Sequence, residues 1–399
     1  MSILHLSSVT FSGLLLCSGG PAPAPSAPTP PREARVDLAI CLDTSGSMDG
    51  LLDSARQGIW AIVNDFALAK PAPKLRVALL TFGNDGHNKD NGWVEVQTAF
   101  TEDLDLVSQK LFALTTNGGT ELVGRAVQTS LDRLEWTSAQ GALKLIVVAG
   151  NESADQDQEC NFRDACRRAI GAGVMINSIY CGNPNDQLAP AWREVAQLAD
   201  GKFHAIDKDN GAIAIETPFD AQIQALNAQV NKTYVPYGAE GKKAWANQAE
   251  QDRNASGLNS QVAAERAMCK TTGSYDNSQW DLLDACRAQK VKLAELKQED
   301  LPEALRGKTP AELEKHIATL QAERDGLHKQ IQDLSGKRQK AVEEEMAKRA
   351  LDPTKSFDYA VRQAVRAQAE AKGIAVRAAA PVQAPAPVQS EQAAKAGGK

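Results

Sequence analysis

From residue 36 to residue 206 the chain alternates short apolar runs with amphipathic stretches. The runs Val36 to Leu42, Leu75 to Phe82 and Leu143 to Ala149 are continuous enough for strands covered on both faces. Trp93 to Ala99 alternates polar and apolar positions as a third strand in chain order, and Val174 to Tyr180 and Lys202 to Ile206 supply a fifth and a sixth. Between them, apolar residues recur at helical spacing: Leu52, Ala55, Ile59, Ile62, Val63 and Phe66, stopped by Pro71 and Pro73; then Leu104, Val107 and Leu111; then Val123, Val127 and Leu134. Further helices are predicted near 161–172 and 191–199. Strand and helix in alternation predict an α/β class: a Rossmann-like, open, mainly parallel six-stranded sheet flanked by helices. Such sheets bind ligands beyond the carboxyl ends of their strands, which directs attention to the loops after Leu42 and Ala149.

Past residue 209 the strand pattern ends and an all-α region is predicted. Helices are expected over Ile213 to Val230, Gln261 to Cys269, Gln279 to Ala288 and Val291 to Gln298, with a turn-rich connector at 234–241. Thr309, Pro310 and Glu312 make a helix start, with a hydroxyl cap, a proline in the first turn and an acid three residues on. The helix that follows carries Leu313, Ile317, Leu320, Leu327, Ile331 and Leu334 at heptad steps, provided Arg324 fills a seam position. That coiled-coil-like segment, 311–341, is long enough to pack against its own neighbours or another chain. Six prolines within positions 21–31 mark an extended tether. The expected layout is a signal segment at 1–20, a Pro-rich linker at 21–34, the α/β domain at 35–208, the helical region at 209–372 and a disordered tail at 373–399.

Composition narrows function mainly by exclusion. With 44 Lys and Arg against 50 Asp and Glu, the net charge of −6 excludes nucleic-acid binding through bulk electrostatics. No apolar run reaches the ~20 residues that a membrane-spanning helix needs. The 7 cysteines form no C-x-x-C pair and the 5 histidines stand apart, so a zinc site is not indicated. Buried thiols are the simplest reading; Cys166 with Cys181, then Cys269 with Cys286, are the candidate disulfides should the protein be exported. Leu14 to Leu16 ahead of Ser18, Gly19 and Gly20 favour export to the periplasm or cell envelope, with a lipid anchor on Cys17 as a variant, although no Lys or Arg precedes them. A segment that is not a signal implies a cytoplasmic protein. No nucleophile–base pair can be ordered from the sequence, and the expectation is a non-enzyme.

The informative motif is Asp43-Thr-Ser45-Gly-Ser47, directly after the first buried strand. One carboxylate and two hydroxyls at two-residue spacing on a glycine-containing turn can aim three oxygens at one centre, the donor chemistry of a small hard cation. Here the chain resembles the von Willebrand factor type A domain family, whose metal-ion-dependent adhesion site opens with this pattern; the resemblance covers about 36 to 207. It implies a Thr from a second loop, matched by Thr120 in Gly118-Gly-Thr120, and an Asp after the fourth strand, where this chain has Asn151. The implied ligands are Asp43, Ser45, Ser47, Thr120 and Asn151, the implied cofactor Mg²⁺ or Mn²⁺, and the implied partner a protein offering an acidic side chain. Glu152 or Asp155 could replace the charge lost at Asn151 if their loop folds back. A metal-free scaffold, in which Asp43 and the serines merely cap a helix, and a cytoplasmic cofactor of an ATPase assembly are the alternatives. Asn151→Asp restores the family's charge and should tighten Mg²⁺ binding; unchanged affinity by isothermal titration would place residue 151 outside the coordination sphere.

Overall fold

The computed structural model describes residues 34–206, 214–349, 351 and 356–376. The expected signal segment, Cys17, the linker up to residue 33 and the tail beyond 376 lie outside them. The sheet comprises β1 (Arg35–Asp43), β2 (Lys74–Phe82), β3 (Glu95–Thr101), β4 (Leu143–Gly150), β5 (Met175–Tyr180) and β6 (Phe203–Ala205) in the order β3-β2-β1-β4-β5-β6. All pairings are parallel except the β2–β3 hairpin. The open, mainly parallel six-stranded sheet flanked by helices is therefore the fold that the apolar runs predicted. Side chains on one face of β1, among them Ala39 and Cys41, pack with α3 (Val123–Arg133), α4 (Phe162–Gly171) and α5 (Ala189–Gln197). Those on the other, among them Leu38, Ile40 and Leu42, pack with α1 (Asp49–Ala67) and α2 (Leu104–Phe112). Asp37, inside β1, is neutralised across the register by Arg76, whose guanidinium donates to both carboxylate oxygens at 2.9 and 2.7 Å.

The helical region consists of α6 (Asp220–Val230), α7 (Gly241–Leu258), α8 (Ser260–Cys269), α9 (Leu282–Arg287), α10 (Pro310–Arg349) and α11 (Phe357–Ala371). It covers the outer side of α1 and α2, so that Ala264, Val361 and Val365 belong to the same buried cluster as Ile59 and Phe66. Ion pairs fix the contact. Asp65 of α1 accepts from Arg362 at 2.9 and 3.0 Å and from Arg366 at 2.9 Å. Arg266 of α8 reaches Asp105 of α2 at 2.6 Å with its guanidinium 4.7 Å from the centre of the Trp60 ring. Beyond α11, Ile374 and Val376 are buried and Ala375 bridges to Lys70.

The differences from the predicted elements have local causes. Helix α7 was not anticipated because the side it buries includes Gln248 and Gln251, so no apolar period marks it. Helix α6 begins only at Asp220, whose carboxylate takes the Thr217 amide and hydroxyl and holds the preceding residues out of the helix. The expected helix at 291–298 is instead a pair of short 3₁₀ turns, Leu293–Glu295 and Gln298–Asp300. Cys166, Cys269 and Cys286 are free thiols, so neither anticipated disulfide is formed. Helix α10 starts as expected: the Glu312 amide donates to the Thr309 hydroxyl at 3.3 Å and the Thr309 amide to Glu312 at 2.8 Å. Its seam residues Leu313, Ile317, Leu327 and Ile331 are buried within the same chain.

Arg324 occupies the skipped seam position and is 1% exposed. It donates to the Thr233 hydroxyl and carbonyl at 2.8 Å and to Asp281 at 2.7 Å, and lies 4.5 Å from the Tyr234 ring centre. Arg324→Ala strips Asp281, which is 0% exposed, of its cation. We expect a loss of about 3 kcal/mol in urea unfolding; a loss under ~0.5 kcal/mol would show that the seam does not depend on this pair.

Candidate functional site

Strand β1 lies in the middle of the sheet and ends on Asp43, which is 0% exposed between the ends of β2 and β4. The loop that follows is stitched to its neighbours through the backbone. Thr44 donates its amide and its hydroxyl to the Phe82 carbonyl at 2.8 and 3.1 Å. The Gly46 amide donates to Gly118 at 3.0 Å and the Asn117 amide to Thr44 at 3.0 Å, which brings the 113–122 loop over the end of β1. Asn84 completes the join by donating to the Thr115 carbonyl at 2.9 Å.

Within this frame the Asp43 carboxylate accepts the Ser45 amide on Oδ1 at 2.8 Å. Its Oδ2 is buried and has no hydrogen-bond partner. The Ser45 and Ser47 hydroxyls are 3.4 Å apart, and Asn151, at the end of β4, donates from Nδ2 to Ser47 Oγ at 3.1 Å. Asp43, Ser45, Ser47 and Asn151 thus come together. Thr120 sits half-buried on the 113–122 loop and makes no hydrogen bond to these four among the described residues. Two glycines provide the space: a Cβ on Gly150 would come within 3.1 Å of Asp43 Oδ2, and one on Gly83, at φ 79°, within 2.7 Å of Asp43 Oδ1.

Sequence reasoning missed Glu121, which is 3% exposed and packs beside Asp43. Burial first, then the Asp43 charge and a hydrogen bond to it, push the Glu121 carboxyl up to about 9. Burial likewise raises Asp43 above the usual carboxylate range. The available signal was adjacency, since Glu121 directly follows the candidate ligand Thr120. Of the replacement acids considered for Asn151, Asp155 is held by Arg163 at 2.5 Å, whereas Glu152 is exposed, with its carbonyl engaged by Trp192 at 2.7 Å, and its charge helps to raise the Glu121 carboxyl.

Electrostatically this pair stands apart. The buried carboxylates Asp37, Asp65, Asp105, Asp220 and Asp281 each face an arginine. Asp43 and Glu121 form no ion pair with Lys, Arg or His among the described residues. Two buried acids, neighbouring hydroxyls, an amide oxygen and one orphaned carboxylate oxygen fit a small hard divalent cation, which prefers oxygen donors and would supply the missing positive charge. Among the described residues, this site included, no group of three or more His, Cys, Asp or Glu side chains is placed to hold a metal, so the donors here are two carboxyls with hydroxyls and an amide. The oxygen-rich 84–90 loop is a hairpin connection in which His87 pairs with Glu95 at 3.0 Å.

Residues 37–212 match the family model of the von Willebrand factor type A domain. No curated protein matches the chain. Among solved structures, proximal thread matrix protein 1 from the mussel byssus, with a zinc-occupied MIDAS motif, is similar at 15% identity over 44% of this chain and 43% of its own, with a TM-score of 0.36. The SpRpn10 VWA domain is similar at 16% identity over 45% of this chain and all of its own, TM-score 0.36. The pilus adhesin SpaC from Lactobacillus rhamnosus GG is similar at 13% identity over 52% of this chain and 32% of its own, TM-score 0.34. The chain thus spans less than half the length of the zinc-occupied mussel structure.

The raised Glu121 carboxyl gives a signed pH dependence. The folded, metal-free protein retains a proton that the unfolded chain releases near 4.5, so this group's contribution to stability falls as pH rises from about 4.5 towards about 9. Glu121→Gln removes that contribution. In EDTA its melting temperature should fall less with pH than the wild type's, by up to about 1.4 kcal/mol of stability per pH unit; parallel profiles would show that Glu121 ionises freely.

Proposed function

Because residues 37–212 match the family model of the von Willebrand factor type A domain, we propose that the protein is a non-enzymatic, cation-dependent protein-binding module. Asp43, Ser45 and Ser47 hold Mg²⁺ or Mn²⁺, with Asn151 beside them, Thr120 as the hydroxyl of the second loop and Glu121 as the second negative charge. When bound, the cation offers an open coordination position that a partner's carboxylate fills. The chain's own residues prepare that position. The backbone bonds from Thr44, Gly46 and Asn117 fix the loops, and the Ser45 amide orients one Asp43 oxygen so that the other is left for the ion.

The observation that carries this reading is the unpartnered Oδ2 of Asp43 beside a second buried acid, in a protein whose buried aspartates Asp37, Asp65, Asp105, Asp220 and Asp281 face arginine. Without a cation the pair costs stability, and a divalent ion converts the same residues into a directional receptor. The family is generally an interaction module.

Isothermal titration of the full chain with Mg²⁺ and Mn²⁺ tests the proposal. Saturable binding is expected, with a thermal shift that grows with free metal and corresponds to about 2.7 kcal/mol at a hundredfold excess over Kd. Asp43→Ala should abolish both effects. No heat and no thermal shift in the wild type would overturn the metal-dependent reading and leave a scaffold.

A further inference from the structure

The loops at the carboxyl edge of the sheet differ in charge from the rest of the chain. Residues 43–48, 83–94, 113–122, 151–161 and 181–188 meet at this edge, because β1, β2, β4 and β5 run parallel, β3 returns from β2, and the 113–122 loop bonds to Thr44 and Gly46. Together they contain nine Asp and Glu and one basic residue, Lys89. The opposite edge, residues 68–73, 102–103, 134–142, 172–174 and 198–202, has four acids and two lysines. The whole chain is nearly balanced, with 50 acids to 44 bases. The asymmetry therefore belongs to one edge.

Part of this charge is neutralised locally. Arg125, in the first turn of α3, pairs with Asp157 at 3.3 Å and Glu159 at 3.0 Å, and Arg163 of α4 takes Asp155. Asp85, Asp90 and Glu152 are exposed and form no ion pair among the described residues. Asp85 lies against the loop that covers the site, since a Cβ on Gly118 would fall 2.7 Å from the Asp85 amide. Inside this collar the Asp43 Oδ2 atom, on a side chain 0% exposed, has no hydrogen-bond partner. A bound divalent ion offsets the two buried acids and leaves the exposed ones uncompensated.

An isolated acidic surface would thus be repelled by the rim before its carboxylate reached the ion. We propose that the partner is a protein segment of net positive charge, in which one carboxylate is flanked by Lys or Arg: the carboxylate completes the cation site while the flanking cations pair with Asp85, Asp90 and Glu152. This rests on the metal-dependent reading above and adds the chemistry that selects the partner. Complementary rim charge raises the encounter rate and suppresses like-charged competitors, and it weakens with salt as the Debye length shrinks to about 10 Å at 0.1 M.

The test uses the full chain in 1 mM Mg²⁺ and two synthetic peptides, each with one central aspartate flanked on both sides by two lysines or by two glutamates. At 50 mM salt the lysine-flanked peptide should bind at least about tenfold more tightly, with the difference closing by 0.5 M salt. Asp90→Lys, at an exposed position on the 83–94 loop, should shrink or invert the preference while leaving Mg²⁺ binding saturable. Equal binding of both peptides, tighter binding of the glutamate-flanked one, or binding of neither overturns the basic-partner inference. Binding of the lysine-flanked peptide that persists unchanged in EDTA overturns the metal-dependent reading but not the rim's preference, so the two failures are distinguishable.

Discussion

Helix α1 is buried from two directions, and the rest of the architecture follows from that constraint. One side closes the sheet core against β1 and β4; the other carries Asn64 and Asp65 into α8 and α11. A charged residue on such a surface requires a counter-charge. Asp65 finds two, in arginines 297 and 301 positions away in sequence. The close approach also explains Gly58, where a Cβ would fall 2.7 Å from that of Asp358. Since α1 begins immediately after the Asp43–Ser47 loop, the helices that clamp its outer side also hold one end of the candidate site.

The site is built on the opposite electrostatic rule. The buried aspartates of the scaffold are matched by arginine, whereas Asp43 and Glu121 are buried against one another. The backbone makes this arrangement possible by fixing three loops with main-chain bonds, so that the loops do not depend on the carboxylates for their position. Glu121 also changes the meaning of Asn151. The acid that packs beside Asp43 comes from the loop that carries Thr120, and the amide of Asn151 is engaged with Ser47.

The strand runs were legible because strands covered on both faces must be apolar throughout, and Leu143 to Ala149 has no other reading compatible with burial. The D-x-S-x-S turn was legible because its oxygens lie within five residues of sequence. Helix α7 was hidden because it buries glutamines, and α6 began later than its composition suggested because Asp220 caps the preceding turn. Arg324 looked like an interruption of a hydrophobic seam; it is a buried member of that seam, satisfied by Thr233 and Asp281 on segments far away in sequence.

By itself, then, the sequence determined the sheet, its helical flanks, the long capped helix and the position of the Asp43 loop, since each is encoded by the local period of apolar residues or by neighbouring donor atoms. Only the tertiary structure decided which charges meet. Glu121 joins Asp43, Asp155 turns to Arg163, Arg362 and Arg366 close on Asp65, and the acids of separate loops gather on one edge. Electrostatic interactions act through space between residues that hydropathy patterns treat independently, so their pairing was settled when the loops and helices packed.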